Sequence, residues 1–489
     1  MAWAKVCPPV RLGAKIDLPR GVILFVLLLG GCTTYLDRVE KFRFLWKIGD
    51  AEGAAREMSV LAEQSPRRDR LLYRLEEGAV KRVNLDPAGS VQAFEKAELV
   101  IARYFGAHLT ATVKWPSEAI GILGSPSSSP YVSRVYDRVM VNLYQSLNYF
   151  QLGDRGRARA QIFRTRGRVQ DAKDIWKDRL DEAEAAESEK HAVKWEALRK
   201  DPSFIRGVDA LYREPRNAYY RSLPDYVNPW AIHLEALYFL ATGEDRSDYE
   251  KAEFSLRELR RIYPDDPWIE EDHRRAEGFM SGKGSDGALT YLYFETGRAA
   301  SRRESRVDLP ILYFDKTARI PYVGASFPKL IYHDSFAPNV EITGQGIANS
   351  PEPRLLADLD AIITKEFKKD LPIVITRAIL GALSKAGIQY AVNKRLSGKD
   401  ETTKLAGQLG TGLLAHALTK SDLRSWTTLP KRVLYCRVPT PANKKLTLRT
   451  KRGSLIKELK LASGGKTNVV CVRNVSPVTP LVVTSNFAF

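Results

Sequence analysis

Three textures of apolar and polar positions follow one another along the chain. The first is a nine-residue apolar run, Gly21 to Leu29 (GVILFVLLL), with Lys5, Arg11, Lys15 and Arg20 before it and Leu29-Gly30-Gly31-Cys32 closing it. A membrane-spanning helix needs about 20 apolar residues, so this run is too short to remain as a span. Basic, apolar, small, then a cut is the order of a secretory signal, which predicts that residues 1–31 are removed. From Thr34 to about Ser281 apolar residues recur at helical spacing. Two segments repeat one set of offsets, Ala54, Met58, Leu61, Pro66 and Ala252, Leu256, Leu259, Pro264. A small residue where helices cross, apolar residues one and two turns on, and a terminating proline predict helical hairpins. Gly153 with Ala158, Tyr149 and Ile162 predicts another, and Gly78, Ser90, Phe94 and Ala97 a looser one. Gly121–Pro130 reads as a surface loop. A stripe of Val169, Ala172, Trp176, Leu180 and Ala183 predicts that 155–200 is one long helix.

After the Gly282–Gly287 linker the period changes to alternation. Strands are expected at Leu289–Phe294, Leu309–Phe314, Tyr322–Tyr332, Val340–Thr343, Arg432–Val438, Leu446–Arg449, Leu455–Leu461, Val469–Val472 and Leu481–Ser485. Amphipathic helices are expected at Leu355–Phe367 and Ile373–Leu396 between them. Within Leu405–Leu418, Gly407, Gly410 and Gly412 each cost a helix about 1 kcal/mol relative to alanine, so a helical hairpin there needs close backbone packing on Ala378, Ala382 and Ala386. The predicted class is α+β and multidomain: a helical-repeat unit at 32–281, then an antiparallel, sandwich-like β unit at 288–489 with a helical insertion at about 354–420. The two are expected to fold as separable pieces.

Three resemblances sharpen this reading. The helical offsets resemble the tetratricopeptide repeat, which implies a superhelix of about four hairpins offering a protein-binding surface. Leu29-Gly30-Gly31-Cys32 resembles the lipobox of bacterial lipoproteins, which implies that Cys32 is lipidated and becomes the first residue. The next residue is Thr33, not the aspartate that holds enteric lipoproteins in the inner membrane, which implies the periplasmic side of the outer membrane. The strings Phe294-Glu295-Thr296-Gly297-Arg298, Ser326-Phe327-Pro328-Lys329-Leu330, Leu371-Pro372 with Arg377, and Asp422-Leu423-Arg424-Ser425-Trp426-Thr427-Thr428-Leu429-Pro430 resemble an uncharacterised family of Gram-negative lipoproteins. Its members join a tetratricopeptide-like half to a strand-rich half. That resemblance brings no activity, only an association with genes for activators of penicillin-binding proteins.

Charge and cysteine content then narrow the chemistry. The full chain carries +18, an excess that speaks of an anionic partner or surface rather than of fold. Lys420 to Arg473 holds 14 basic residues against Asp422 and Glu458. Lys444, Lys445, Arg449, Lys451 and Arg452 gather on one predicted hairpin, the candidate partner-binding face. Export makes nucleic acid a poor partner and anionic lipid or cell-wall polymer a better one. With Cys7 discarded and Cys32 lipidated, Cys436 and Cys471 remain, in a compartment where disulfides form. Bridged and unbridged states are equally open on sequence alone.

A search for catalytic patterns returns little. His108, His191, His233, His273, His333 and His416 are scattered, with no zinc-binding spacing. There is no nucleophile elbow and no phosphate loop. Glu270-Glu271-Asp272 reads as a solvated helix start. No metal, cofactor or catalytic residue is expected. The expected function is a lipid-anchored envelope interaction or scaffold protein, with cell-wall synthesis as its setting. The alternatives are an envelope glycan-modifying enzyme and a membrane-active oligomer built on the glycine-rich hairpin.

Overall fold

The computed structural model describes residues 34–109, 130–168, 202–211, 218–284, 287–309, 313–315, 318–319, 323–336, 340–371, 374–375, 421–450 and 456–489. The signal run, Cys32, Gly121–Ser129, the stripe from Val169 to Ala183, the helix expected at Ile373–Leu396 apart from two residues, the glycine-rich hairpin, Lys451 and Arg452 lie outside the described residues. The chain is mixed α and β, with helices first and a strand-rich part after them. Among the described residues no helix is long and apolar enough to cross a membrane.

The helices are α1 (Tyr35–Arg38), α2 (Glu40–Ile48), α3 (Ala51–Glu63), α4 (Arg70–Val83), α5 (Pro87–Leu109), α6 (Val135–Gln151), α7 (155–168), α8 (Pro202–Leu211), α9 (Ala218–Ser222), α10 (Pro229–Thr242), α11 (Arg246–Ile262) and α12 (Pro267–Met280). Their starts are written in side chains that accept from free first-turn N–H groups. Asp50 accepts from Gly53, Asn228 from Trp230, Asp245 from Asp248, and Asp266 from both Trp268 and Ile269. Pro229 and Pro267 take the first helical position, where the missing N–H is not needed. Consecutive helices pack as hairpins: α2 on α3, α3 on α4, α4 on α5, α10 on α11, α11 on α12. Ala54, Met58, Ala252, Leu256 and Leu259 are buried, as their offsets predict. Gly78 is where α4 crosses α5, and a Cβ there would lie 2.5 Å from the Phe94 ring. Gly49 ends α2 at φ +82°, the left-handed conformation that glycine adopts freely.

The strands are β1 (Leu289–Thr296), β2 (Ser301–Leu309), β3 (Tyr313–Asp315), β4 (Ala318–Arg319), β5 (Val323–Ile331), β6 (Val340–Thr343), β7 (Arg354–Asp358), β8 (Arg432–Pro439), β9 (Lys445–Thr450), β10 (Ile456–Lys460), β11 (Thr467–Asn474) and β12 (Val482–Ala488), with helix α13 (359–371) after β7. A five-stranded sheet runs β12-β11-β1-β8-β7, a three-stranded sheet β10-β9-β6, and β2 pairs with β5. The expected antiparallel arrangement is corrected at the centre, where β1 and β11 run parallel. Both are buried on two faces, the usual setting of parallel pairing. The helix expected at Leu355–Phe367 is also corrected, since Arg354–Asp358 is an edge strand on β8 and the helix begins one residue later. Strand β2 escaped prediction because its sequence, SRRESRVDL, is almost entirely polar.

The five-stranded sheet is the middle layer. Tyr291, Tyr293, Val433, Tyr435, Val469, Cys471 and Phe487 face the helices and belong to one hydrophobic core with Leu72, Tyr144, Trp230 and Leu256. On the other face Leu292, Phe294, Cys436, Val438, Val470 and Val472 pack against Val340, Ile342, Leu446, Leu448 and Leu459 of the three-stranded sheet. The texture changes at Gly282–Gly287, between α12 and β1, but the two halves share a single core.

Candidate functional site

Polar chemistry concentrates at the seam between helices and sheet, on residues that sit in register with apolar stripes. Arg82 continues the buried line of Leu72, Leu75 and Ala79 on α4, and Glu295 continues that of Tyr291 and Tyr293 on β1. They meet at 2.8 Å with side chains 2% and 1% exposed. Tyr144 donates to the second Glu295 oxygen at 2.8 Å, and Arg82 also donates to Ser485 at 3.1 Å. Burial alone pulls Arg82 down, but the Glu295 carboxylate outweighs it and leaves the guanidinium above its ordinary pKa.

The string Asp422–Pro430 crosses this seam as a strap. Arg424 pairs with Asp69 at 2.7 Å and with Asp422 at 2.8 Å. Trp426 is buried against Phe94 and Tyr144. Glu76, fully buried on α4, accepts from the Thr427 amide and hydroxyl, both at 2.7 Å, and from those of Thr428 at 3.1 and 2.6 Å. Burial raises Glu76 even against these four donors. The strap then meets the Phe294–Arg298 string. Arg473 donates to the Gly297 carbonyl at 2.7 Å and to the Thr428 carbonyl at 3.3 Å, and the Ala299 amide donates to Leu429. Two of the strings singled out in the sequence are therefore adjacent parts of one sealed junction.

A second cluster joins α13 to the start of α6. Glu366, on α13, accepts from the amides of Val135 and Tyr136 at 2.7 and 3.1 Å and caps α6 in trans. Arg134 pairs with Asp370, and Tyr131 donates to Asp137 at 2.7 Å. Burial, reinforced by Asp370, pushes Glu366 up to about 7, and burial takes Asp137 to about 6. Behind β8, Asp360 is raised to about 6 by burial although Lys431 pairs with it. These carboxyls are buried and, except for Asp137 Oδ1, matched by donors, an arrangement that holds segments together.

Glu270-Glu271-Asp272 is not simply a solvated helix start. Asp272 is 1% exposed, accepts from Tyr291 at 2.7 Å and pairs with Arg275 and Arg437. His233 is buried with Nδ1 2.7 Å from the Tyr293 hydroxyl, and burial drives it down to about 4, so it is neutral at pH 7. Among the described residues no group of three or more His, Cys, Asp or Glu side chains could hold a metal ion.

Of the two states left open for Cys436 and Cys471, the structure has the unbridged one. Cys436 lies opposite Leu292 on one side of β1 and Cys471 opposite Tyr293 on the other. Two strand spacings of about 4.8 Å separate them, beyond the roughly 7 Å that a bridge spans. They also face opposite cores, and both are free. Burial raises each thiol, Cys471 to about 12.

The basic face is narrower than the local charge count suggests. Of the basic residues between 420 and 473, Arg424, Lys431, Arg432 and Arg437 pair with acidic groups from elsewhere in the chain, and Arg473 donates to carbonyls. What remains outward is the three-stranded sheet. Leu446, Leu448 and Leu459 point inward, so alternation turns Lys445, Arg449 and Lys460 outward. Lys445 lies opposite Lys460, Arg449 opposite Glu341, and Lys444 occupies the preceding turn at φ +53°. Lys457 and Lys466 are exposed nearby. A second cationic spot joins Arg43, Arg298 and His333. Burial and then Arg43 lower Arg298, and burial followed by Arg298 and Lys431 lowers His333 to about 4. The chain matches no protein-family model, no curated protein and no solved structure.

Proposed function

We propose that this chain is a lipid-anchored scaffold of the bacterial cell envelope, tethered through Cys32 on the periplasmic side of the outer membrane. Its basic β layer contacts an anionic envelope component. The observation that carries this reading is the outward face of β10-β9-β6, where Lys445, Arg449 and Lys460, with Lys444 in the adjoining turn, outnumber Glu341 and Glu458. Arg424, Lys431, Arg432, Arg437 and Arg473 of the same segment are matched internally, so the excess charge of its described residues falls on this face. An exposed excess of one sign draws a polyanion or an anionic lipid surface.

In the finer reading, the hairpins form a tetratricopeptide-like superhelix and the two sheets a sandwich-like β unit carrying the insertion. The helical hairpins then supply a docking surface for a protein partner, with cell-wall synthesis as the setting. Small residues at the crossings, Gly78 and Ala252 among them, support the repeat reading. A glycan-modifying enzyme would need an open acid pair about 5–9 Å apart, whereas the described carboxyls with raised pKa, Glu76, Asp137, Glu235, Asp360 and Glu366, are buried. Metabolic labelling of cells with a palmitate analogue tests the anchor. Label should enter the wild-type chain and not Cys32→Ala, and equal labelling would contradict the tether. Crosslinking in cells followed by pull-down should recover envelope material with the wild type and less with Lys445→Glu/Lys460→Glu.

A further inference from the structure

A cavity of about 260 Å³ opens in the helical layer, across the five-stranded sheet from the basic β face, between the start of α4, α5 and the segment Pro130–Ser133. Its rim carries Arg67, Arg68 and Arg103, and its wall is apolar, with Leu71, Ile101 and Tyr131 buried. No acidic side chain is among the described residues that line it. Arg68 lies 3.3 Å from Asp69, but that carboxylate is shared with Arg424 at 2.7 Å. Arg67 and Arg103 have no ion-pair partner among the described residues. Among the described residues, therefore, nothing offsets these two guanidinium groups at the mouth of an apolar hollow.

The second observation comes from Ser133. Ser133 is 5% exposed, lines the cavity and has no hydrogen-bond partner among the described residues. A buried hydroxyl left unpaired is destabilising, and native interiors rarely keep one without a role. The wall that carries it is fixed, because the Tyr131 amide donates to the Arg68 carbonyl at 2.7 Å and the Tyr131 hydroxyl to Asp137. An oxyanion is the group that serves both features. It accepts from guanidinium forks in paired, charge-assisted bonds and from a serine hydroxyl at once.

We propose that this cavity binds a small amphiphile bearing a phosphate, with the phosphate on Arg67, Arg103 and Ser133 and a short apolar part against Leu71 and Ile101. The volume is below the range of pockets for drug-sized ligands, so it admits a headgroup and a few carbons, not a polymer. This site is independent of the basic β face.

Calorimetric titration of the purified full chain with hexyl phosphate tests it. One molecule should bind per chain, and Arg67→Gln and Arg103→Gln should each weaken binding about tenfold or more. Ser133→Ala should weaken it several-fold while leaving the melting temperature unchanged or higher, because it removes an unpaired buried hydroxyl. Inorganic phosphate should bind more weakly than hexyl phosphate, and hexanol should not bind. Dihexanoyl phosphatidylglycerol distinguishes the sources: tighter binding than hexyl phosphate assigns a lipid headgroup, weaker binding a soluble phosphate ester, provided the arginine variants lose either one. The proposal is overturned if hexyl phosphate gives no binding at millimolar concentration, if hexanol binds equally well, or if the Arg67→Gln/Arg103→Gln variant binds like wild type.

Discussion

Replacing Glu295 by alanine leaves the Arg82 guanidinium buried, with the Ser485 hydroxyl at 3.1 Å and the Tyr144 ring, 4.8 Å from its carbon, as remaining neighbours. Removing one partner of a buried pair costs about 3–5 kcal/mol, because an uncompensated charge stays behind. The orphaned Tyr144 hydroxyl adds a share of about 1–3 kcal/mol that is not fully additive. A loss of about 4 kcal/mol is therefore expected, and the same for Arg82→Met, which strands Glu295. The double variant Arg82→Met/Glu295→Leu removes both charges and should lose only about 2 kcal/mol, less than either single change. Urea unfolding followed by far-ultraviolet dichroism and by tryptophan fluorescence measures this cycle. Because the pair joins α4 to β1, both signals should shift together. The reasoning is refuted if the double variant loses the sum of the single losses, or if either single change costs less than about 1 kcal/mol.

The contact of α13 with the start of α6 should carry a pH signature. Glu366 titrates near 7 when folded, against an ordinary 4.5, so the folded chain keeps a proton that the unfolded chain has released. Its contribution is full below the unfolded value and is lost as pH rises through 7; Glu366→Gln should flatten stability against pH between 5 and 7, and an unchanged slope would contradict the assignment. Cys436 and Cys471 should resist a thiol reagent in the native chain and both react on unfolding, and finding only one reactive thiol, or none, under denaturing non-reducing conditions would contradict their separation. Cleavage within Gly282–Gly287 should leave two fragments that elute together under native conditions, because the helices and the five-stranded sheet share a core; fragments that separate and stay folded would show that the seam contributes little.

Much of this fold was legible in the sequence, and the misses have physical causes. The hairpins followed from the small residues at the crossings and the apolar residues one and two turns on, all local signals, whereas the capping residues Asp50, Asp245 and Asp266 were not singled out. Val340–Thr343 and Arg432–Pro439 announced themselves by β-rich apolar runs, whereas β2 is held by pairing with β5 and has no such run. The parallel pairing of β1 with β11 was not legible, since it joins residues far apart in sequence. The seam chemistry was half visible: Arg82 and Glu295 break apolar stripes in register, which marks a buried charge, but their partners lie on other elements. Charge counting misled at Arg424, Lys431, Arg432 and Arg437 because the acids that neutralise them are distant in the chain.

The scaffold reading rests most directly on the outward face of the three-stranded sheet. Lys445, Arg449 and Lys460 are all exposed, so reversing the three to glutamate inverts the face without opening a core position. Sedimentation of the purified chain with vesicles containing phosphatidylglycerol, across a series of salt concentrations, measures the contact. Exposed charges act over about 8 Å at physiological ionic strength, so wild-type binding should fall steeply as salt rises, while the reversed variant should bind weakly and respond little. Equal binding by both proteins, with no response to salt, would contradict the account.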